Sequence, residues 1–569
     1  MPEEYADLRE FFNLPRIAYF SMEIALANDI PTYSGGLGVL AGDTIRTAAD
    51  VELPMVAVTL VSRRGYFRQE LSPEGDQIEH PDPWEPEANL KLLRAMVAVP
   101  MNGRDVWVRA WMYVHESHLT GRIPVILLDT DLASNDPGDR ELTHYLYGGD
   151  QAYRLRQEVV LGIGGLRMLQ ALELEVIHYH MNEGHSALLA WELLRRYAYP
   201  AEDLRPGESP YDFPRVRSMC TFTTHTPVEA GQDKFPYSLV EDTLDGLADL
   251  PVLRSLAGQD NLNMTRLALN LSEYINGVAK RHAEVSARMF PGYQVRAITN
   301  GVHPHTWTAA PFARLYDRHL VGWAHQPELL RRAVFLPDEE VRAAHREAKA
   351  ALIERVQTQT GVTLDPERPI VGFARRMTAY KRPDLLFHDL QRLRSIASNQ
   401  PFQLVLAGKA HPRDEAGKRL IRELHDHMAE LADVLPMAFL PNYDMDCALA
   451  LVSGVDVWLN TPLRPLEASG TSGMKAAFNG VPSLSVLDGW WVEGWIEGVT
   501  GWAVGDSTEA SNGNDAEDLY RQLEEAVLPC YYDHPEEWTA IMKNAVGLNA
   551  SFFNTHRMMG RYATEAYLS

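Results

Sequence analysis

The sequence predicts an α/β chain of two Rossmann-like, doubly wound domains facing each other across a central cleft, and three observations point there. The chain has 569 residues, past the length at which a single hydrophobic core keeps growing, so two large domains are expected. Short apolar runs alternate with amphipathic stretches, the pattern of parallel strands joined by helices. The residues with evident chemistry follow directly on those runs, where open α/β sheets hold their ligands.

In the second half, PIVGFAR (369–375), FQLVLAG (402–408), VLPMAFL (434–440), VDVWLN (455–460) and VPSLSVL (481–487) read as buried strands. KRLIRELHDHMAELA and MDCALALVSG between them space apolar residues three and four apart, as helices do. In the first half, LPMVAVTLV (53–61), VWVRAWMYV (106–114), IPVILLD (123–129), VIHYHM (176–181) and SMCTFTTH (218–225) read as strands. RQEVVLGIGGLRMLQALE and HSALLAWELLRRYA read as helices that follow strands. A boundary is expected near Trp307, after ITNGVHPHTW, giving domains of residues 1–306 and 307–569, with the last helix, ATEAYL, packing back on the first.

Composition narrows the function. A hydrophobic content of 46% suits ordinary globular cores. A formal net charge of −24 repels phosphodiester backbones and anionic lipid, so neither nucleic acid nor membrane is an expected partner. No run of about 18 apolar residues is present, and the acidic start MPEEYADLREFF is unlike a leader, so a cytoplasmic protein is expected. Cys220, Cys447 and Cys530 form no CxxC pair, which argues against a disulfide framework or a zinc ribbon.

Six segments could carry chemistry. YSGGLGVLAGDT (33–44) sets Gly35, Gly36 and Gly38 before a helix, letting backbone approach a ligand, although such a turn is often only a turn. HYHMNEGHS (178–186) has three histidines and Glu183, but not the spacing of a zinc motif, so a polar cleft wall is expected and no metal. FTTHTP places His225, and ITNGVHPHTW places Asn300, at strand ends; a core histidine and a turn residue are the plain alternatives.

FARRMTAYKRP supplies Arg375, Arg376, Lys381 and Arg382 after the first strand of the second half. In so acidic a chain, such a cluster at the ligand end of a sheet suggests a captured phosphate, with Arg382 left as a solvated surface residue. In LEASGTSGMKAAFNG (466–480), Lys475 stands among Met474, Ala476, Ala477 and Phe478 on an expected helix of residues 471–479. Burying its ammonium without a partner is costly. Covalent attachment of pyridoxal phosphate, whose own phosphate would meet Thr471, Ser472 and Gly473, removes that cost; snorkelling to solvent is the other reading.

The segment EASGTSGMKAAFN closely resembles the pyridoxal-phosphate attachment motif of the glycogen and α-glucan phosphorylases, with Glu467, Ala468, Ser469, Gly470, Met474, Lys475 and Asn479 at the family's characteristic positions. Phe478 departs from it, standing where leucine or methionine is usual, and is read as altered packing. YSGGLG, NEGH, FTTHTP, ITNGVHPHTW, RRMTAYKR and PNYDMD resemble further family segments in the family's order, so a short, bacterial-type member without the regulatory extension of animal enzymes is expected.

The resemblance implies a GT-B fold and the reversible phosphorolysis of α-1,4-glucan or maltodextrin by inorganic phosphate. The product is α-D-glucose 1-phosphate, formed with retention, and the phosphate of pyridoxal 5'-phosphate assists proton transfer. Lys475 would form an imine with that cofactor, with Thr471, Ser472, Gly36 and Arg375 around its phosphate and Trp307 and Tyr66 nearby. Arg376 and Lys381 would hold the substrate phosphate. Glu467, Ser469, Gly470, Asn300, His225, Leu37 and Tyr443 would surround the glucosyl unit. No metal is implied, allosteric control is not expected, and a homodimer is the family's expectation. Two rivals are a nucleotide-sugar glycosyltransferase of the glycogen-synthase type and a non-catalytic glucan-binding protein.

Overall fold

The computed structural model describes residues 16–228, 231–244, 246–508 and 513–568. The first sheet is built from β1 (Arg16–Phe20), β2 (Met55–Leu60), β3 (Lys91–Met101), β4 (Arg104–Glu116), β5 (Arg122–Asp129), β6 (Val176–Asn182), β7 (Cys220–Thr223), β8 (Tyr274–Gly277) and β9 (Arg296–Ala297). Their order is β9-β8-β7-β6-β1-β2-β5-β4-β3. Strands from β9 through β5 run parallel, whereas β4 and β3 add as an antiparallel edge.

That edge departs from the all-parallel sheet of a doubly wound domain, and its cause is local. Asn102 and Gly103 both adopt positive φ, and Met101 pairs with Arg104 across them. A two-residue Asn-Gly connection of this kind closes a hairpin, while a parallel pair needs a crossover of a dozen residues or more.

The second sheet contains β10 (Ile370–Ala374), β11 (Gln403–Ala407), β12 (Met437–Leu440), β13 (Val457–Asn460), β14 (Ser483–Val486) and β15 (Gly501–Val504). All pairs are parallel, in the order β12-β11-β10-β13-β14-β15. This is the doubly wound order of a dinucleotide-type sheet, which reverses direction between β10 and β13. Every residue of β10, β11 and β13 is buried, as a sheet covered by helices on both faces requires.

The helix Asp338–Thr360 leads into this sheet and is defined at both ends. Asp338, Glu339 and Glu340 lie in its first turn, where the helix dipole favours negative charge, and Gly361 closes it at φ 74°. The final helical stretch, Thr555–Tyr562 continuing through Ala563–Tyr567, lies against the first sheet. Asn276 Nδ2 donates to Tyr562 Oη (2.9 Å), and His180 Nδ1 and Tyr567 Oη are 2.6 Å apart.

Candidate active site

The first sheet reverses direction between β1 and β6, and the second between β10 and β13, so ligands are expected outside the carboxyl ends of those four strands. Glu23 follows β1, Asn182 and Glu183 end β6, Arg375 and Arg376 follow β10, and Asn460 ends β13.

Beyond β1, the glycine loop is held by a residue that sequence reading passed over. Glu23 Oε2 accepts hydrogen bonds from Ser34 N (2.6 Å), Ser34 Oγ (3.0 Å) and Gly35 N (3.1 Å), while Oε1 accepts from Tyr147 Oη (2.8 Å). Gly36 and Gly38 were expected to precede the helix; they lie inside it, since it runs Gly36–Asp50 with Gly35 as its N-cap. Their reasons differ. A Cβ at Gly38 would come within 2.7 Å of Tyr33 Cβ, whereas at Gly36 it would meet nothing within 4 Å. Gly36 therefore leaves open space for a ligand, with Leu37 half-buried beside it.

Beyond β6 and β7, Glu183 sits at φ 74° and ties the next loop down. It accepts from His225 N and Thr226 Oγ1, both at 2.8 Å. His225 Nε2 lies 2.6 Å from Asn182 Oδ1. Burial, with His282 and His185 adding to it, pushes the His225 ring down to about 3, so it is neutral at pH 7.

Two neighbouring histidines do not form the expected cleft wall. His178 and His180 share one face of β6, but that face is turned to β7 and Tyr567: His178 Nε2 lies 2.7 Å from Thr221 Oγ1 and His180 Nε2 2.9 Å from Thr223 Oγ1. Both are buried, with Nε2 of His178 and both ring nitrogens of His180 engaged. Among the described residues no group of three or more His, Cys, Asp or Glu is arranged to hold a metal ion.

Beyond β10, the cations divide. Glu467 is buried, and its carboxylate takes Arg375 Nη2 at 2.6 Å and Lys381 Nζ at 2.9 and 3.0 Å. Burial alone would raise this carboxyl, but Arg375 and Lys381 outweigh it and hold the group down to about 2. Arg375 also donates to Asn460 Oδ1 at the end of β13. Asp488, another residue missed in sequence, accepts from Glu467 N and Gly489 N, each at 2.9 Å, and so fixes the loop that presents Glu467.

Arg376 stands apart from this cluster. Arg376 is exposed as a whole residue and has no hydrogen-bond or ion-pair partner among the described residues, and its Nη2 would lie 3.4 Å from a Cβ at Gly35. Desolvation works against its charge, but Tyr66 and then Glu23 outweigh that. Tyr66 therefore belongs to the surroundings of Arg376. Arg382, expected as solvated surface, is instead half-buried with φ 46°. It donates to the carbonyls of Thr461 (3.0 Å) and Pro462 (2.8 Å) and pairs with Asp515, because the turn after Lys381 directs it inward.

The helix of the opening motif is shorter than expected, Ser472–Ala477, so its dipole adds little. Thr471 is its N-cap residue, and Ser472 Oγ accepts from Trp458 Nε1 at 3.0 Å. Lys475 is 7% exposed, which excludes snorkelling. Its Nζ lies 3.8 Å from the centroid of the Trp307 ring and has no hydrogen-bond or ion-pair partner among the described residues. Burial pushes it down to about 8, against the pull of Asp43. Asn479 binds the backbone of both: Nδ2 donates to Trp307 O (2.8 Å) and Lys475 O (3.1 Å), and Oδ1 accepts from Ala309 N (2.8 Å).

Among the described residues, the buried atoms of this region without a partner include Asn300 Oδ1, Ser469 Oγ and Arg375 Nε. Gly470, at φ 79°, turns the chain between Glu467 and Thr471. Tyr443 is half-buried near Cys447, Tyr33 and Arg375. An unpartnered primary amine, an unpaired guanidinium, open space at Gly36 and orphaned polar atoms together suit an anionic carbonyl ligand beside a polyhydroxylated one.

Comparison with known proteins agrees with this chemistry. A family model described as carbohydrate phosphorylase matches residues 245–556. The chain is 40% identical to a maltodextrin phosphorylase of Thermococcus litoralis, over 97% of this chain and 70% of that protein. It is 37% identical to a glycogen phosphorylase of Mycobacterium tuberculosis, with the same shares covered, and 33% identical to a glycogen phosphorylase of Aquifex aeolicus, over 97% of this chain and 86% of that one. Matched by the family model over more than half its length, and by these relatives over nearly all of it, the chain belongs to the carbohydrate phosphorylase family.

Proposed function

We propose that the protein is an α-glucan phosphorylase, cleaving the ends of α-1,4-glucan or maltodextrin with inorganic phosphate to give α-D-glucose 1-phosphate. The observation that carries this reading is Lys475, a buried lysine without a partner in the middle of a family-matched motif. Lys475 would hold pyridoxal 5'-phosphate covalently, with Trp307 beside the amine, and Thr471, Ser472, Gly36 and Arg375 would hold the cofactor phosphate. When bound, the cofactor would supply a phosphate group able to assist proton transfer to the glycosidic oxygen.

The remaining steps belong to the chain's own residues. Arg376, unpaired and facing the glycine loop, takes the substrate phosphate, and Lys381 joins it from the Glu467 cluster. Two anions held close need this neutralisation, which fixed cations in a cleft supply without reorganisation. Glu467 orients Arg375 and Lys381 and meets the glucosyl unit. Asn300 Oδ1 and Ser469 Oγ, buried and unpaired, receive sugar hydroxyls, with Gly470, Leu37 and Tyr443 around them. His225, neutral and clamped through Asn182 and Glu183, presents its backbone carbonyl to the positive charge that develops at the anomeric carbon. The 1–306 and 307–569 halves are the two domains, and the cleft between them holds the glucan. A cytoplasmic homodimer completes the reading.

The test is phosphate-dependent release of glucose 1-phosphate from maltotriose through glycogen, with and without added pyridoxal 5'-phosphate. Release that requires phosphate supports the reading. Turnover of a nucleotide sugar instead, or glucan binding with no phosphorolysis, rejects it.

A further inference from the structure

The helix Gly36–Asp50 buries a carboxylate, Asp43, at 1% exposure. A buried carboxylate is costly unless its oxygens are engaged. Here Oδ2 accepts from Trp307 Nε1 at 2.7 Å and from His303 N at 3.2 Å, and Oδ1 has Arg46 Nη1 at 3.5 Å. Arg46 is mostly committed elsewhere, donating to the carbonyls of Ala25 (2.9 Å) and Leu26 (2.8 Å). Asp43 is thus engaged chiefly with the tryptophan whose face lies under Lys475 Nζ. Trp307 is pinned at its indole N–H, which donates to Asp43, and at its backbone carbonyl, which accepts from Asn479.

We propose that Asp43 is a positioning residue for Lys475: it fixes the Trp307 ring beneath the amine, and its charge holds the proton there until the cofactor arrives. This rests on the reading of Lys475 as the cofactor anchor. An anion hydrogen-bonded to the indole N–H makes the ring face a better seat for an ammonium, and its field acts through a poorly screened interior. Lys475 can react with a carbonyl only as the free amine, so the group that holds its proton governs when capture occurs.

The charged neighbours are few. From the helix Gly36–Asp50, Asp43 raises and Arg46 lowers the lysine. From the segment that carries Trp307, His303 turns its ring away to Asp50, 2.8 Å distant, and burial holds it down to about 4, so it adds no charge at pH 7. Trp307 and Asn479 are uncharged.

The test uses the full chain, treated with hydroxylamine to remove any carbonyl adduct. Trace acetylation by acetic anhydride is followed across pH, and the extent at Lys475 is read by mass spectrometry. The wild-type amine should titrate near 8. Asp43→Asn keeps an oxygen for the indole N–H but loses the charge; its midpoint should fall by about one unit, making Lys475 about tenfold more reactive below both midpoints. Asp43→Glu should restore the wild-type profile. Arg46→Gln, which removes the opposing charge, should move the midpoint upward and serves as the readout if Asp43→Asn does not fold. An unmoved midpoint in folded Asp43→Asn, or a downward one in Arg46→Gln, overturns the proposal. The two readings fail separately. A shifted midpoint in a chain that never retains pyridoxal phosphate sinks the anchor and leaves the coupling, while a cofactor-loaded chain with an unmoved midpoint sinks the coupling alone.

Discussion

Two sets of cations lie in this candidate site, and they are held in opposite ways. Arg375 and Lys381 close on Glu467 within 3.0 Å, whereas Arg376 and Lys475 have no anionic or hydrogen-bonding partner among the described residues. The paired set is a structural element that also carries charge. The unpaired set gains most from a ligand, because a charge that makes no direct hydrogen bond or ion pair is stabilised further by an anion bound beside it. The difference separates groups whose loss should cost stability as well as function from groups whose loss should cost function alone, and substitutions can test that separation.

The largest effect is expected at Lys475. Lys475→Ala should bring phosphorolysis to background and abolish the near-ultraviolet absorbance of bound cofactor, with little change in thermal stability. Substantial activity without that absorbance would break the comparison. Glu467→Gln comes next and should act on stability. With a carboxyl held near 2, against an ordinary value of 4.5, Glu467 contributes stability that is fully present above about pH 4.5 and lost as pH falls toward 2. That contribution is about 3 kcal/mol. Denaturant unfolding should show the variant weaker at pH 7 and without this acid slope. An unchanged slope would mean the cluster is not the stabilising unit.

Arg376→Ala should leave stability alone and raise the KM for phosphate about 10- to 150-fold, the range for one lost charge-assisted contact. Its KM for maltodextrin should stay near the wild-type value, and equal losses in both would contradict its role. The smallest effect is at Phe478, buried with no exposure. Phe478→Leu should cost on the order of 1–2 kcal/mol in unfolding and leave both KM values unchanged.

Much of this arrangement was legible in sequence because strand periodicity and strand ends are local signals. The five apolar runs of the second half mark β10 through β14, although VLPMAFL shortens to Met437–Leu440. Lys475, Glu467, Arg375 and Lys381 stand out as charged residues in small or apolar surroundings. Their division into paired and unpaired sets was not legible, because Glu467 meets Lys381 across 86 residues and no spacing rule reaches that far. The Asn-Gly turn at 102–103 was a readable hairpin signal that strand alternation masked.

Glu23, Asp43 and Asp488 share a fainter signal. Each is a single carboxylate inside an otherwise apolar stretch, in SMEIAL, LAGDTI and SVLDGW. Each is buried, or largely so, and holds backbone or indole N–H groups of the site. A lone acid of this kind marks a place where something must satisfy it, as Lys475 does with the opposite charge.

The central claim is that Lys475 lacks a partner because a cofactor supplies one. Reduction of the purified, active protein with borohydride, followed by peptide mass spectrometry, tests it directly. The expected result is a pyridoxyl phosphate adduct on the peptide carrying Lys475 and on no other lysine. An active protein whose Lys475 peptide is unmodified after reduction would contradict it.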